Sequence, residues 1–259
     1  MQTIIYENSM RAQCLADFLK NSEAVSHYNK VYILPIPSSR DGVMIGGVDL
    51  TLGAFVDALC EGDLVLGYGL SRDIAERISS RGAVLCDSSL DEGFLSENAR
   101  LTAEATLGIL ASLGKRSISD MRLGIVGYGR IGRALLSMLL YLGAHTLVYT
   151  GRDEVIFELS SLGVRALGYE GFDNSEVDAM INTAPSDVFW RGSGEALLRS
   201  GAQIIELASG DNFGDGPSLG LKVSKYPSLP SRMFPVSAGE AWARSVERFL
   251  FDRQKRCPL

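Results

Sequence analysis

The chain has 259 residues, 46% of them hydrophobic, with a formal net charge of -6 at pH 7, enough length for two small α/β domains and no basic excess to suggest a nucleic-acid partner. Cys14, Cys60, Cys86 and Cys257 show no C-x-x-C spacing and no nearby histidine pair, which argues against a zinc site or a disulfide-stapled secreted fold and for reduced thiols with no bound metal. The opening Met1-Gln-Thr-Ile-Ile-Tyr-Glu has no charged n-region, and no stretch reaches the roughly 18 apolar residues a membrane span needs, so a cytoplasmic protein without membrane contact is expected.

From Asp17 to about Ser89, short apolar runs alternate with helical patterns: Val31-Tyr-Ile-Leu34, Leu52 to Leu59, Asp63-Leu-Val-Leu-Gly67, Arg72 to Ile78 and Ala83-Val-Leu-Cys86. Such alternation predicts parallel strands joined by crossover helices. Between Ala99 and Gly114 the residues Leu101, Ala105, Gly108, Ile109 and Ser112 recur at three and four, which predicts a helix ended by glycine that bridges two domains across 98–116. The second half predicts strands at Arg122–Val126, Thr146–Thr150, Ala179–Asn182, Gln203–Ala208 and Leu221–Ser224, with helices at Ile131–Leu142 and Glu154–Leu162. These strand runs are nearly continuous in apolar residues, as a parallel sheet covered on both faces requires. Beyond Pro227-Ser-Leu-Pro230, Trp242, Val246 and Phe249 mark one stripe of a last helix, whose start Ser237-Ala-Gly-Glu240 reads as a capping box.

Gly127-Tyr-Gly-Arg-Ile-Gly132 matches G-x-G-x-x-G, and its context makes the match informative: it follows one predicted strand, opens a helix and precedes another strand. Gly127 allows the turn, Gly129 lets the backbone approach a pyrophosphate, and Gly132 lets the helix lie close to the sheet, while the amides of Arg130 and Ile131 and the helix dipole favour an anion. Roughly 20 residues past the last glycine, where NAD-binding proteins place an acid for the ribose hydroxyls, this chain has Thr150-Gly151-Arg152. Arg152, with Arg130 nearby, suits a 2′-phosphate and points to NADP, while Asp153 keeps NAD open and a solvated surface role for Arg152 is the plain alternative. Thr183, Ala184 and Pro185, ending the strand before them, either contact the nicotinamide ribose or form an ordinary turn fixed by Pro185. The expected fold is therefore α/β with two Rossmann-like domains with parallel sheets: 1–97, with 237–259 packing back on it, on the substrate side, and 98–236 binding NAD(P).

A 2-hydroxyacid dehydrogenase needs a histidine base held by a carboxylate and an arginine for the substrate. The chain has two histidines, His27 in a polar stretch and His145 before a strand, and neither falls near the last loop, Phe234-Pro-Val-Ser-Ala-Gly239. An ordinary alcohol-to-ketone dehydrogenase is disfavoured.

Several segments over roughly residues 31 to 250 together resemble the A subunit of dipicolinate synthase: Leu34-Pro-Ile-Pro37 followed by Asp41-Gly42, Asn98-Ala-Arg-Leu-Thr-Ala-Glu104, Gly127-Tyr-Gly-Arg-Ile-Gly-Arg133, Ile181-Asn-Thr-Ala-Pro185, Leu207-Ala-Ser209 and Pro235-Val-Ser-Ala-Gly239. The resemblance implies NAD(P)-dependent oxidation of a dihydrodipicolinate-type heterocycle to dipicolinate during sporulation, partnership with a flavoprotein-like B subunit, and a homo-oligomer. It also implies that Ser38, Ser39 and Arg40 bind a substrate carboxylate, that Asn98, Thr102 and Glu104 face the reacting ring, and that Ser209 and Ser237 close on it. Asn98 and Ser237 also read as helix caps, and Ser38 to Arg40 as a solvated turn. The chain departs from the family where Gly210-Asp-Asn replaces Pro-Gly-Gly, where Ser231 replaces a glycine, and at an N-terminus expected to lack a strand and a glycine-rich turn. The alternatives are a reductase acting on another small acid and a non-catalytic NADP-binding regulatory protein.

Overall fold

The computed structural model describes residues 2–113, 116–172 and 177–256; Gly114 and Cys257 lie outside them. In chain order the elements are β1 (Gln2–Ile5), α1 (Met10–Lys20), β2 (Lys30–Ile33), α2 (Leu52–Asp57), β3 (Leu64–Gly67), α3 (Arg72–Ser80), β4 (Val84–Asp87), α4 (Glu92–Ser112), β5 (Arg122–Val126), α5 (Arg130–Tyr141), β6 (His145–Tyr149), α6 (Asp153–Ser161), β7 (Arg165–Leu167), β8 (Ala179–Asn182), α7 (Val188–Ser200), β9 (Gln203–Glu206), β10 (Lys222–Lys225), α8 (Leu229–Met233) and α9 (Pro235–Arg256). Among the described residues the strands form two parallel sheets, ordered β1-β2-β3-β4 and β10-β9-β8-β5-β6-β7. The chain divides into two compact units, Met1–Asn98 with Pro230–Leu259, and Ala99–Leu229.

In the first unit, alternation along the strands feeds two cores. Val31, Ile33, Leu64 and Leu66 face Ala12, Leu15 and Leu19 of α1 and Trp242, Val246 and Leu250 of α9. Tyr32, Leu34 and Val65 face Phe55 and Val56 of α2 and Ile74 and Ile78 of α3. Because the strand order runs one way while α1 lies on the face opposite α2 and α3, the β1–α1–β2 crossover has the opposite hand to the two that follow, a departure from the strong right-handed rule. Ser9, Thr51 and Ser71 start α1, α2 and α3 by accepting hydrogen bonds from the Ala12, Ala54 and Ile74 amides, each satisfying one orphan donor of the first turn.

Several expectations are corrected here. The chain opens on β1 and α1, ahead of the first element read from the sequence. Helix α4 begins at Glu92 rather than near Asn98, because the Asp91 carboxylate accepts from the Gly93 and Phe94 amides at 2.9 and 3.3 Å and so caps it there; Asn98 is therefore mid-helix and caps nothing. Helix α9 begins at Pro235, so Ser237 and Glu240 lie inside it and form no capping box. Proline is suited to that first turn, where its missing N–H would have no helical acceptor, and the Phe234 carbonyl accepts from the Ala238 amide at 2.9 Å. Arg248 pairs with Asp91 at 2.7 Å, which ties α9 to the start of α4.

The second unit is doubly wound: β5-β6-β7 and β8-β9-β10 run outward from the β5–β8 pair, so that pair is the switch point where such sheets bind ligands at their carboxyl ends. Register places Tyr149, Val126, Asn182, Glu206 and Lys225 in one row across that edge. Behind it, Tyr149, Phe172, Met180, Phe189, Ile204 and Phe213 pack together.

Candidate functional site

The loop from Gly127 to Gly132 stands at the switch point, and each glycine has a distinct steric reason. Gly127 has φ +93, and a Cβ there would meet Thr183 Oγ1 at 2.9 Å and the Ala184 Cβ at 3.1 Å. A Cβ on Gly132 would strike the Gly127 carbonyl oxygen, so α5 can approach β5 only without one. Gly129 has nothing within 4 Å of its Cβ direction, and as N-cap of α5 it contributes no side-chain hydrogen bond. The first amides of α5, with the positive end of the helix dipole, thus stand next to the opening at Gly129.

Arginines surround this loop. Arg152, which precedes α6, donates from Nη2 to the Tyr128 carbonyl at 2.9 Å, and Arg133 lies over the Tyr128 ring at 4.8 Å. Arg130 is exposed at the start of α5, and Ile131 behind it is half-buried. Thr150 is buried and accepts from the Arg152 amide at 3.3 Å, while the Tyr169 ring lies 3.1 Å from where a Gly151 Cβ would stand. Asp153 is the first residue of α6, at the end of a helix dipole that favours an acid.

On the other side of the loop, Thr183 Oγ1 donates to the Val126 carbonyl at 2.9 Å, which binds the turn Asn182–Pro185 to β5. Ala184 packs on Gly127, and Pro185 is exposed. Beneath this turn lies a group that sequence reasoning missed. Glu206 is 2% exposed; its oxygens accept from Asn182 Nδ2, both at 3.0 Å, and Oε1 also accepts from the Ala208 amide at 2.8 Å. Burial pushes its carboxyl above the ordinary value, against hydrogen bonds from Asn182, the Ala208 amide and Asn212 that pull the other way. In the sequence it is a single acid among Ile204, Ile205 and Leu207, which does not by itself mark it as buried.

The remaining candidates are placed as follows. Ser38 is fully buried, donating to the Pro35 carbonyl and accepting from the Tyr68 amide at 2.8 Å, so its hydroxyl is engaged in its own loop. Ser39 donates to Asp41 and accepts from the Gly42 amide at 2.9 Å; Asp41 is held below the usual carboxylate range by the Met44 and Val43 amides. Arg40 is exposed beside them. Asn98 and Thr102 share a face of α4, whereas Glu104 points elsewhere, exposed and paired with Arg100 at 2.8 Å. Ser209 is exposed after β9, and Ser237 is half-buried in the first turn of α9. His145 opens β6 at the amino edge of its sheet, away from the glycine loop, and the His27 ring lies against that of Tyr28, tilted by 36° with centres 4.2 Å apart. Among the described residues no group of three His, Cys, Asp or Glu is placed to hold a metal, and no helix is long and apolar enough to cross a membrane.

Two parallel-sheet units, one of them doubly wound with a glycine-rich loop at its switch point, define a Rossmann-like α/β protein. No protein-family model and no curated protein sequence matches the chain. Its fold is similar to the A subunit of dipicolinate synthase from Bacillus halodurans, at 17% identity over 96% of this chain and 97% of that one with TM-score 0.72. It is likewise similar to the dipicolinate synthase A chain from Bacillus subtilis, at 16% identity over 99% and 98% with TM-score 0.75. D-lactate dehydrogenase from Escherichia coli shares the fold less closely, at 12% identity over 100% and 99% with TM-score 0.56.

Proposed function

We propose that the chain is an NADP-dependent oxidoreductase that oxidises a dihydrodipicolinate-type heterocycle to dipicolinate. The observation that carries the cofactor is the start of α5: open space before Gly129, no acid in the first turn, and Arg130, Arg133 and Arg152 around it. Cations at the positive end of a helix dipole are unfavourable by themselves, and a bound pyrophosphate and 2′-phosphate offset that cost. The nicotinamide, when bound, accepts a hydride. The heterocycle gives up that hydride and a proton and becomes aromatic, so the chain's own task is to orient the ring and grip its carboxylates rather than to supply a strong base. Arg40, Asn98, Thr102, Ser209 and Ser237 are the residues we assign to that task.

The choice of heterocycle is supported by the fold likeness over nearly the whole chain to the dipicolinate synthase structures. A 2-hydroxy acid is disfavoured, since His145 lies at the wrong edge of its sheet and the His27 ring lies against Tyr28. The engagement of Ser38 and Ser39 within their own loop favours a second reading, a nucleotide-binding protein without turnover. The deciding experiment is NADP+ and NAD+ reduction with freshly made dihydrodipicolinate, first by the chain alone and then together with a flavoprotein-like B subunit. We expect turnover that prefers NADP+. NADPH binding with no turnover under either condition would leave the second reading, and turnover only on another small carboxylic acid would replace the substrate.

A further inference from the structure

Asn182, Glu206 and Asn212 form a buried polar cluster beneath the Asn182–Pro185 turn, each at most 5% exposed. Asn182 is the joint of the cluster. Its Nδ2 donates to both Glu206 oxygens at 3.0 Å and to the Ala184 carbonyl at 3.2 Å, while its Oδ1 accepts from the Ala184 amide at 3.2 Å. Asn212, from the segment that replaces the expected Pro-Gly-Gly, donates to the Ser209 carbonyl at 3.3 Å and, from beside Glu206, helps to lower the pKa of that carboxyl. A carboxylate in a sheet core is costly to bury, and such groups are kept where their hydrogen bonds orient something. What this one orients is the Asn182–Pro185 turn, which reaches the phosphate loop through Thr183 and Ala184.

We propose that Glu206 is a positioning residue: by holding Asn182, it sets the Asn182–Pro185 turn beside the phosphate loop where the nicotinamide half of a dinucleotide is recognised. This rests on the dinucleotide reading above. The groups facing Glu206 are the neutral amides of Asn182 and Asn212 and, on β10, Lys225, which is itself paired with Asp211 at 3.2 Å. Protonation puts an O–H where one of those amides donates, so the hold on the turn weakens as pH falls through the titration of Glu206, which burial moves above the ordinary carboxylate range.

The test compares wild type with Glu206→Gln, and with Asn182→Ala in case the first variant folds poorly, by titrating NADPH and 2′,5′-ADP from mildly acid to mildly alkaline pH. At alkaline pH we expect Glu206→Gln to bind NADPH about tenfold more weakly and 2′,5′-ADP as wild type does, because only the nicotinamide half depends on the turn. The ratio of variant to wild-type dissociation constants cancels the ligand's own phosphate titration, and it should fall toward one as pH drops. Equal NADPH affinities, an equal loss for both ligands, or a ratio independent of pH would each overturn the role of Glu206. A wild-type chain that takes up no NADPH or NADH would instead overturn the dinucleotide reading itself.

Discussion

In the function we propose, Arg152 carries the choice between the two dinucleotides. Its guanidinium is fixed by a bond to the Tyr128 carbonyl at 2.9 Å, so it flanks the loop without being consumed by a carboxylate there. A preorganised arginine binds a phosphate more strongly than a mobile one. Arg152→Ala should therefore narrow the NADPH-to-NADH affinity ratio by about tenfold, read by fluorescence titration of both nucleotides, and an unchanged ratio would remove Arg152 from the recognition. The place of such residues beside the glycine loop was legible from the sequence, because the glycine spacing and the missing acid after β6 are local signals. Glu206 was not. A lone acid among Ile204, Ile205 and Leu207 carries no mark of whether it is buried, and only the register with Asn182 shows that it has a partner. Ser38 failed in the opposite sense, since nothing local shows that the Tyr68 amide, thirty residues away, uses its hydroxyl.

At the scale of elements, the site depends on how closely α5 can approach β5. The Gly132 position faces the Gly127 carbonyl, which is backbone and cannot swing aside. Gly132→Ala should accordingly destabilise the second unit by about 1–3 kcal/mol, seen as a lower urea midpoint reported by Trp190 in a Trp242→Phe background. An unchanged midpoint would mean that the helix is not packed as described. Strong periodicity made β5, α5 and β6 readable. Helix α7 was not readable, because Gly192 and Gly194 dilute its helical pattern and the Trp190 ring fills the place of a Gly194 side chain. The starts of α4 and α9 were misplaced for a related reason: Asp91 and Pro235 do the starting, while Asn98 and Ser237 offer equally plausible caps a few residues on.

For the molecule as a whole, two parallel sheets could be anticipated from alternating strand and helix patterns, and the order of the second follows the doubly wound rule. The reversed hand of β1–α1–β2 could not, because it depends on which face α1 and α9 share, and residues 2–20 and 235–256 meet only in three dimensions. The division of labour we propose gives the second unit the dinucleotide, and everything chemical follows from that. Calorimetric titration of NADPH into the wild-type chain and into Gly129→Asp tests it most directly, since a Cβ at that position meets nothing in the protein within 4 Å and the carboxylate brings a negative charge to the pyrophosphate position we propose. The account predicts saturable uptake by the wild type and none by a folded Gly129→Asp variant; no uptake by the wild type, or equal uptake by both, would contradict it.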